Sequence, residues 1–139
     1  SLLLHHLENE LKEAGIRAVL NYGHTFGHVV ENETQYTTYL HGEAVAIGMI
    51  MANALAIELG LFTQEEAEEV KVLLEKASLP TEYVIKDVDD FYEHFFLDKK
   101  SARGSIKFIL PQGMGNYKMV SDIDESIVKK VLRSFGENK

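Results

Sequence analysis

Three histidines are the residues of this sequence best suited to chemistry. His24 and His28 are four residues apart in the segment NYGHTFGH, a spacing that places both on one face of a helix. Two such imidazoles can share a metal ion, or one can bind the metal and the other the substrate. His41 lies where a further helix is predicted to begin, and Glu43 beside it is a candidate to orient its ring. The pattern indicates a zinc-type site.

A structural interpretation of the same histidines stays open. A single histidine beside apolar residues is usually a hydrogen-bonded part of the packing. Gly23 and Gly27 each precede a histidine, and glycine leaves room for a ligand or another backbone to come close. The spacing does not say which two imidazoles would bind a metal, because three together could also form a complete set.

The segments that must position these histidines are mostly helical in their periodicity. The fold class predicted is mainly α, a multihelical domain with a small β-hairpin, and residues 1–139 are expected to form a single domain. The central helix, 41–59, is apolar on nearly every side and should be buried. The other elements expected are a helix over about 17–32, irregular at Gly23 and Gly27, a loop over 35–40, a helix from Thr63 to near Ser78, a helix capped by Asp87 and running through Phe96, a hairpin of 105–110 with 117–120 around a turn at 111–115, and a last helix capped by Asp124 and running through Phe135.

Composition excludes several functional classes. The 139 residues carry a formal net charge of −8, which argues against a nucleic-acid-binding protein. The most apolar stretch, 44–57, is shorter than the roughly 20 residues needed to cross a bilayer, so no membrane association is expected. There is no cysteine, which rules out a thiolate metal site and is compatible with a cytoplasmic protein.

Three blocks of the sequence resemble the signature of 3-dehydroquinate synthases. The first runs from Arg17 to His28 and the second from His41 to Met49. The third comprises Asp98-Lys99-Lys100, Gly104 and Phe108–Pro111. The resemblance extends over about residues 8–135, and the interval between the first two blocks is also that of the family.

The resemblance implies that this chain is the helical C-terminal half of such an enzyme. In that family an N-terminal domain binds NAD, and the active site lies between the two domains. A divalent ion, zinc or cobalt, is held by two histidines of the C-terminal half and a glutamate of the N-terminal half. The matching histidines are His24 and His41. The implied partners are the N-terminal NAD-binding domain and, in a homodimer, a second copy of the enzyme.

The resemblance also assigns substrate contacts. Arg17 matches an arginine that holds the substrate carboxylate, for which a guanidinium is well suited. Asn21 and His28 match residues at the phosphate end of the substrate, and Lys99 or Lys100, with Lys100 preferred, would neutralise the same phosphate. His28 and Lys100 are therefore the expected catalytic residues. Without the resemblance, the lysine pair would be interpreted as a solvated surface turn.

The reaction implied is the conversion of a sugar phosphate, 3-deoxy-D-arabino-heptulosonate 7-phosphate, to 3-dehydroquinate and phosphate in the shikimate pathway. NAD transiently oxidises a hydroxyl, phosphate is eliminated, NADH returns the hydride, and an aldol closure follows. The metal would polarise the hydroxyl and then the carbonyl, and the cofactor would carry the redox chemistry.

Two alternatives and two departures accompany this interpretation. The alternatives are another sugar-phosphate cyclase or metal-dependent polyol dehydrogenase domain, and a non-catalytic helical module that keeps its histidines for packing. The family has a lysine about fourteen residues before the arginine, where this chain has Leu3, and the family's acidic run before the arginine is only partly kept, in Glu10 and Glu13. Because one metal ligand and the NAD site are also expected outside this sequence, the isolated chain is expected to bind zinc weakly and to be inactive.

Overall fold

A computed structural model of the chain describes residues 16–33, 41–96, 106–113 and 116–136. These residues form five helices and one antiparallel hairpin, which confirms the predicted fold class. No helix among them has the length and apolar character needed to cross a membrane. In chain order the elements are α1 (Ile16–Glu33), α2 (His41–Glu58), α3 (Gln64–Lys76), α4 (Val88–His94), β1 (Lys107–Pro111), β2 (Tyr117–Ser121) and α5 (Glu125–Arg133).

Helices α1 and α2 form the centre of the fold and pack through glycines. A Cβ atom added to Gly48 would collide with the carbonyl oxygen of Gly23 and lie 2.6 Å from the amide nitrogen of Gly27. A Cβ on Gly27 would in turn lie 2.8 Å from the carbonyl oxygen of Ala44. Only glycine permits this backbone contact. Helix α1 is continuous through both glycines, so the irregularity predicted at Gly23 and Gly27 is absent.

Helix α2 is buried on nearly every side, as its composition predicts. It contacts α1, α3, α5 and β1, so each of its faces meets another element. The buried residues of α2 are Ala44, Ala46, Ile47, Gly48, Met51, Ala52, Asn53, Leu55 and Ala56. The helix is followed by Gly60 at φ +77°, a left-handed conformation that ends helices and that glycine adopts without strain.

One of the buried polar groups in this core is paired across two helices. The hydroxyl of Tyr22 on α1 donates a hydrogen bond to the Oδ1 atom of Asn53 on α2. Burial, and next to it the nearby Tyr117, raises the pKa of Tyr22 well above its usual value. The hydroxyl therefore stays protonated and remains a donor at every physiological pH.

An aromatic cluster attaches α4 and the hairpin to α1. The ring of Phe26 lies 5.5 Å from that of Phe95 and 5.3 Å from that of Phe108, measured between centroids. Phe95 also stacks edge-on against Phe91 and Tyr92. Such edge-to-face pairs add to the free energy gained from burying the rings. The cluster explains why α4, only seven residues long, is held in place.

Element boundaries differ from the prediction in a few places. Helix α4 ends at His94, so Phe95 and Phe96 lie in the turn that follows it. Pro111 belongs to strand β1, where it pairs with Tyr117, rather than to the turn. Asp124 precedes α5 but makes no side-chain capping hydrogen bond. The predicted loop over 35–40, the start of the predicted strand at Ser105, and the turn residues Met114 and Gly115 lie outside the described residues.

Candidate metal and substrate site

Four of the predicted site residues occupy one side of α1. Arg17, Asn21, His24 and His28 all belong to this helix. At about 100° per residue, their positions fall within an arc of roughly 60°. We call these four positions the α1 stripe. A spacing of four, three and four residues therefore produces a continuous line of chemically active residue types along about three turns of helix.

The α1 stripe runs along the side of α1 opposite the core. The buried apolar side chains of the helix, Tyr22, Phe26, Val29 and Val30, occupy the other side in the same projection, whereas the buried Glu31 lies beside the stripe. The glycine contact with α2 flanks the stripe on one edge. On the other edge, the hydroxyl of Thr25 donates a 3.2 Å hydrogen bond to the carbonyl oxygen of Lys107 on β1. The stripe therefore lies between α2 and the hairpin.

His41 begins α2 at the same end of the helix pair. Gly23 packs against Val45 and Met49, whereas Gly27 packs against Ala44, so the two helices run antiparallel. His41 is one turn before Ala44 in α2. This places the three histidine positions within about two helical turns of one another along the pair.

His28 is the stripe residue whose side chain the structure describes. Its imidazole is 40% exposed, and its Nδ1 atom lies 3.9 Å from Oε1 of the buried Glu31. The side-chain amide of Asn32 donates to the backbone carbonyl of His28 at 3.2 Å. The ring is therefore open enough to meet a ligand and lies beside a carboxylate that can orient it. Sequence reasoning passed over Glu31, although a spacing of three residues on a helix was the available signal.

Several predicted residues remain untested. Lys99 and Lys100 lie outside the described residues, and for Arg17, Asn21, His24 and His41 the description covers the helical backbone alone. Glu43, the predicted orienting residue for His41, is half-buried in the first turn of α2.

A second group of potential metal ligands lies at the far end of α1. Glu33, the last residue of this helix, meets Asp90 and His94 of α4, and one ligand atom from each lies within 4.8 Å of the other two. The sequence analysis missed this group. Asp90 and His94 are four residues apart on one helix, which was the local signal, but their proximity to Glu33 depends on the packing of α4 against α1.

A comparison with known protein families shows the family to which the chain belongs. Residues 2–101 match the family model described as 3-dehydroquinate synthase C-terminal. The chain belongs to this family. The match contains the α1 stripe, His41 and the lysine pair, and so covers every residue that the sequence analysis assigned to the site.

Proteins named 3-dehydroquinate synthase are the relatives of this chain. One from Sulfurovum sp. (strain NBC37-1) is 80% identical over 126 residues, which is 91% of this chain and 36% of the relative. One from Campylobacter curvus (strain 525.92) is 57% identical over 129 residues, 93% of this chain and 37% of the relative. The chain therefore spans little more than a third of the length of these relatives.

Solved structures of sugar-phosphate cyclase family enzymes share the fold. A 2-epi-5-epi-valiolone synthase from Streptomyces hygroscopicus subsp. jinggangensis 5008, with NAD+ and Zn2+ bound, has a TM-score of 0.70 and 28% identity, and covers 86% of this chain and 33% of its own. A 2-deoxy-scyllo-inosose synthase complexed with carbaglucose-6-phosphate, NAD+ and Co2+ has a TM-score of 0.67 and 28% identity, over 82% of this chain and 32% of its own. Both neighbours bind a nicotinamide cofactor and a divalent ion.

Proposed function

We propose that this chain supplies the metal-binding and substrate-binding half of a 3-dehydroquinate synthase, a lyase that converts 3-deoxy-D-arabino-heptulosonate 7-phosphate to 3-dehydroquinate and phosphate. The observation that carries the proposal is the α1 stripe. It lines up the positions of an arginine, an asparagine and two histidines along one side of α1, with the His28 end beside the start of α2. Relatives of that name, up to 80% identical, support this choice of substrate.

His24 and His41 are the proposed metal ligands. Imidazole nitrogens suit zinc and cobalt, so the donor set fits the ions present in the neighbouring structures. A glutamate of an N-terminal domain would complete the set, and that domain would also bind NAD. When bound, the ion supplies Lewis-acid polarisation of a substrate oxygen, and the cofactor supplies the hydride chemistry. A homodimer of the two-domain enzyme is part of the proposal.

The other residues of the site would hold the substrate. Arg17 presents a planar fork of donors suited to a carboxylate. Asn21 and His28 would contact the phosphate end, where the half-exposed ring of His28 can exchange a proton with the leaving phosphate. Lys100, with Lys99 beside it, would balance the phosphate charge. These contacts would orient the sugar phosphate toward the cofactor. The oxidation and reduction of the substrate would be left to the cofactor.

An assay of product formation with and without the missing portion tests the proposal. The chain is mixed with the N-terminal portion of the Sulfurovum relative, NAD and zinc, and release of phosphate and 3-dehydroquinate is measured. We expect turnover in the mixture and none from the isolated chain. Turnover by the isolated chain would contradict the proposal that the site is shared between two halves. If the mixture neither binds zinc nor turns over, a non-catalytic helical module is the better interpretation.

Matched variants test the residue roles in the same mixture. Arg17→Lys keeps the charge but loses the planar fork, so we expect kcat/KM to fall by roughly tenfold or more, since a hydrogen bond to a charged group contributes about 1.5–3 kcal/mol and about 1.4 kcal/mol is a factor of ten. Arg133→Lys, at the end of α5, is its control and should leave the rate unchanged. Lys100→Ala is paired in the same way with Lys118→Ala on β2, whose lysine is exposed.

A second candidate is a different sugar-phosphate cyclase, because both neighbouring structures are cyclases of other names at 28% identity. The two candidates differ in what Arg17 must hold. The Arg17→Lys variant should turn over a substrate with a carboxylate more slowly than the unmodified chain does. Its turnover of a sugar phosphate without a carboxylate should be unchanged. Turnover of the second kind of substrate alone would favour this candidate.

A further inference from the structure

We propose that Glu33, Asp90 and His94 form a second divalent-cation site, for an ion of the zinc class, at the junction of α1 and α4. The Nδ1 atom of His94 lies 3.6 Å from Oε2 of Glu33 and 3.7 Å from Oδ2 of Asp90. Zinc holds nitrogen and oxygen ligands at about 2.0–2.2 Å in tetrahedral geometry, which separates neighbouring donor atoms by roughly 3.3–3.6 Å. The two separations from the imidazole lie at and just above the upper end of this range, and one ligand atom of each residue lies within 4.8 Å of the other two, so a small adjustment would arrange the donors around a shared ion.

The same separations are too long for hydrogen bonds, which end near 3.2 Å. The Nδ1 atom of His94 is buried and has no hydrogen-bond partner in the described part of the chain. A buried polar atom without a partner costs free energy. An imidazole nitrogen is a common zinc ligand, and this one faces two carboxylates. An ion between the three groups would give the nitrogen a partner.

The local charge also favours a cation. Burial raises the pKa of Glu33, and the carboxylates of Asp90 and Asp87 raise it further, against the lowering effects of the Tyr83 hydroxyl and of His94. Glu33 is the last residue of α1, where the helix presents the negative end of its dipole. The carboxylates of Glu33 and Asp90 therefore face one imidazole at a helix C-terminus, an excess of negative charge that a divalent ion would offset.

This site does not use the α1 stripe. Glu33 follows His28 by five residues, which rotates it by about 140° around α1, toward the core side. The Asp90 side chain is 60% exposed, so an ion could enter and keep water as its remaining ligand. Because the ligands come from two helices, occupancy would hold the last turn of α1 against α4. The proposed role is to hold in position the helix that carries the stripe.

Metal titration of the full chain tests the site. The reference protein carries His24→Gln and His41→Gln, so that the proposed catalytic ligands do not contribute, and His94→Gln or Asp90→Asn is added to it. After removal of metals by a chelator, Zn2+ is titrated by calorimetry and Co2+ by its visible absorption. We expect the reference protein to bind one more equivalent of metal than the His94→Gln and Asp90→Asn proteins. Its melting temperature should also rise with zinc, whereas theirs should not.

Asp89→Asn is the matched control, because it removes the same charge from the same helix but from a carboxylate that pairs with Lys129 at 2.9 Å. It should bind as much metal as the reference protein. Equal stoichiometry in the reference and His94→Gln proteins would overturn the proposal, as would an Asp90→Asn protein that behaves like Asp89→Asn. Circular dichroism checks the fold of each variant, and Asp90→Asn, at an exposed position, keeps the test decisive if His94→Gln fails to fold.

Discussion

At the scale of single residues, glycines determine how closely the helices that carry the site approach each other. The sequence predicts that Gly23 and Gly27 leave room for a ligand or another backbone, and that Gly42 and Gly48 mark a close backbone approach. The structure shows that Gly23, Gly27 and Gly48 each touch the opposite helix, whereas the prediction for Gly42 is wrong, because a Cβ there would meet nothing within 4 Å. The sequence shows where small residues occur. The backbone that each glycine contacts becomes known only from the packing of α1 against α2.

Replacing Gly48 by alanine should destabilise the chain strongly. The new methyl group would collide with the backbone of Gly23 and Gly27, and backbone atoms cannot rotate away. We expect a loss of about 3 kcal/mol or more in the free energy of unfolding, at or above the upper end for overpacked cores. Urea denaturation followed by circular dichroism measures it. Gly42→Ala is the control, because a Cβ there meets nothing within 4 Å, and it should be neutral or stabilising by up to about 1 kcal/mol.

The buried pair of Tyr22 and Asn53 should depend on both partners. In Tyr22→Phe the Oδ1 atom of Asn53 loses the hydrogen bond it accepts, and we expect a loss of about 1–3 kcal/mol. Tyr22→Phe combined with Asn53→Leu removes both polar groups, so it should be less destabilised than the sum of the single variants. A double-mutant cycle of urea midpoints measures the difference. Strict additivity would contradict a direct interaction.

At the scale of elements, local sequence signals predicted helix starts unequally well. Thr63 and Glu66 form the reciprocal capping box expected before α3, because all of its hydrogen bonds lie within four residues. Asp124 also precedes a helix, yet its side chain makes no capping bond. Asp87, predicted from its residue type alone, does accept a 3.1 Å hydrogen bond from the Asp90 amide, so a single residue is an uneven signal, whereas a reciprocal pair adds a second bond that supports the first.

This difference predicts unequal effects of two alanine substitutions. Thr63→Ala removes a 3.0 Å bond from the Glu66 amide and should cost about 1 kcal/mol. Asp124→Ala removes no capping bond, so its effect should stay within about 0.5 kcal/mol, as is usual for surface changes. Thermal unfolding of both variants and of Thr63→Ser, which retains the hydroxyl, measures the contrast. An equal loss for the two alanine variants would show that capping at Thr63 is not the cause.

At the scale of the whole molecule, the sequence predicts a site whose residues lie on one helix. It does not predict a site whose residues come from helices that are distant in sequence. The α1 stripe follows from helical periodicity, so the amino-acid sequence by itself suffices to place its four positions on one side of a helix. The group of Glu33, Asp90 and His94 required α4 to be attached to α1 through the aromatic cluster. No local pattern encodes that contact. Resemblance to a family added the roles of the stripe residues, which periodicity alone does not supply.

The chain should unfold as one cooperative unit, because a single hydrophobic core joins its elements. Leu132 of α5 is fully buried in the same core as Phe26 of α1 and Phe108 of β1. We therefore expect Leu132→Ala to lower the free energy of unfolding by about 2–5 kcal/mol, with one transition seen alike by circular dichroism and by tyrosine fluorescence. Met119→Ala, at a side chain that is 59% exposed, should change it by less than about 0.5 kcal/mol. A first, smaller transition in the circular dichroism of Leu132→Ala, below the main one, would contradict this. It would mean that α5 unfolds independently of the α1 and α2 pair that carries the site.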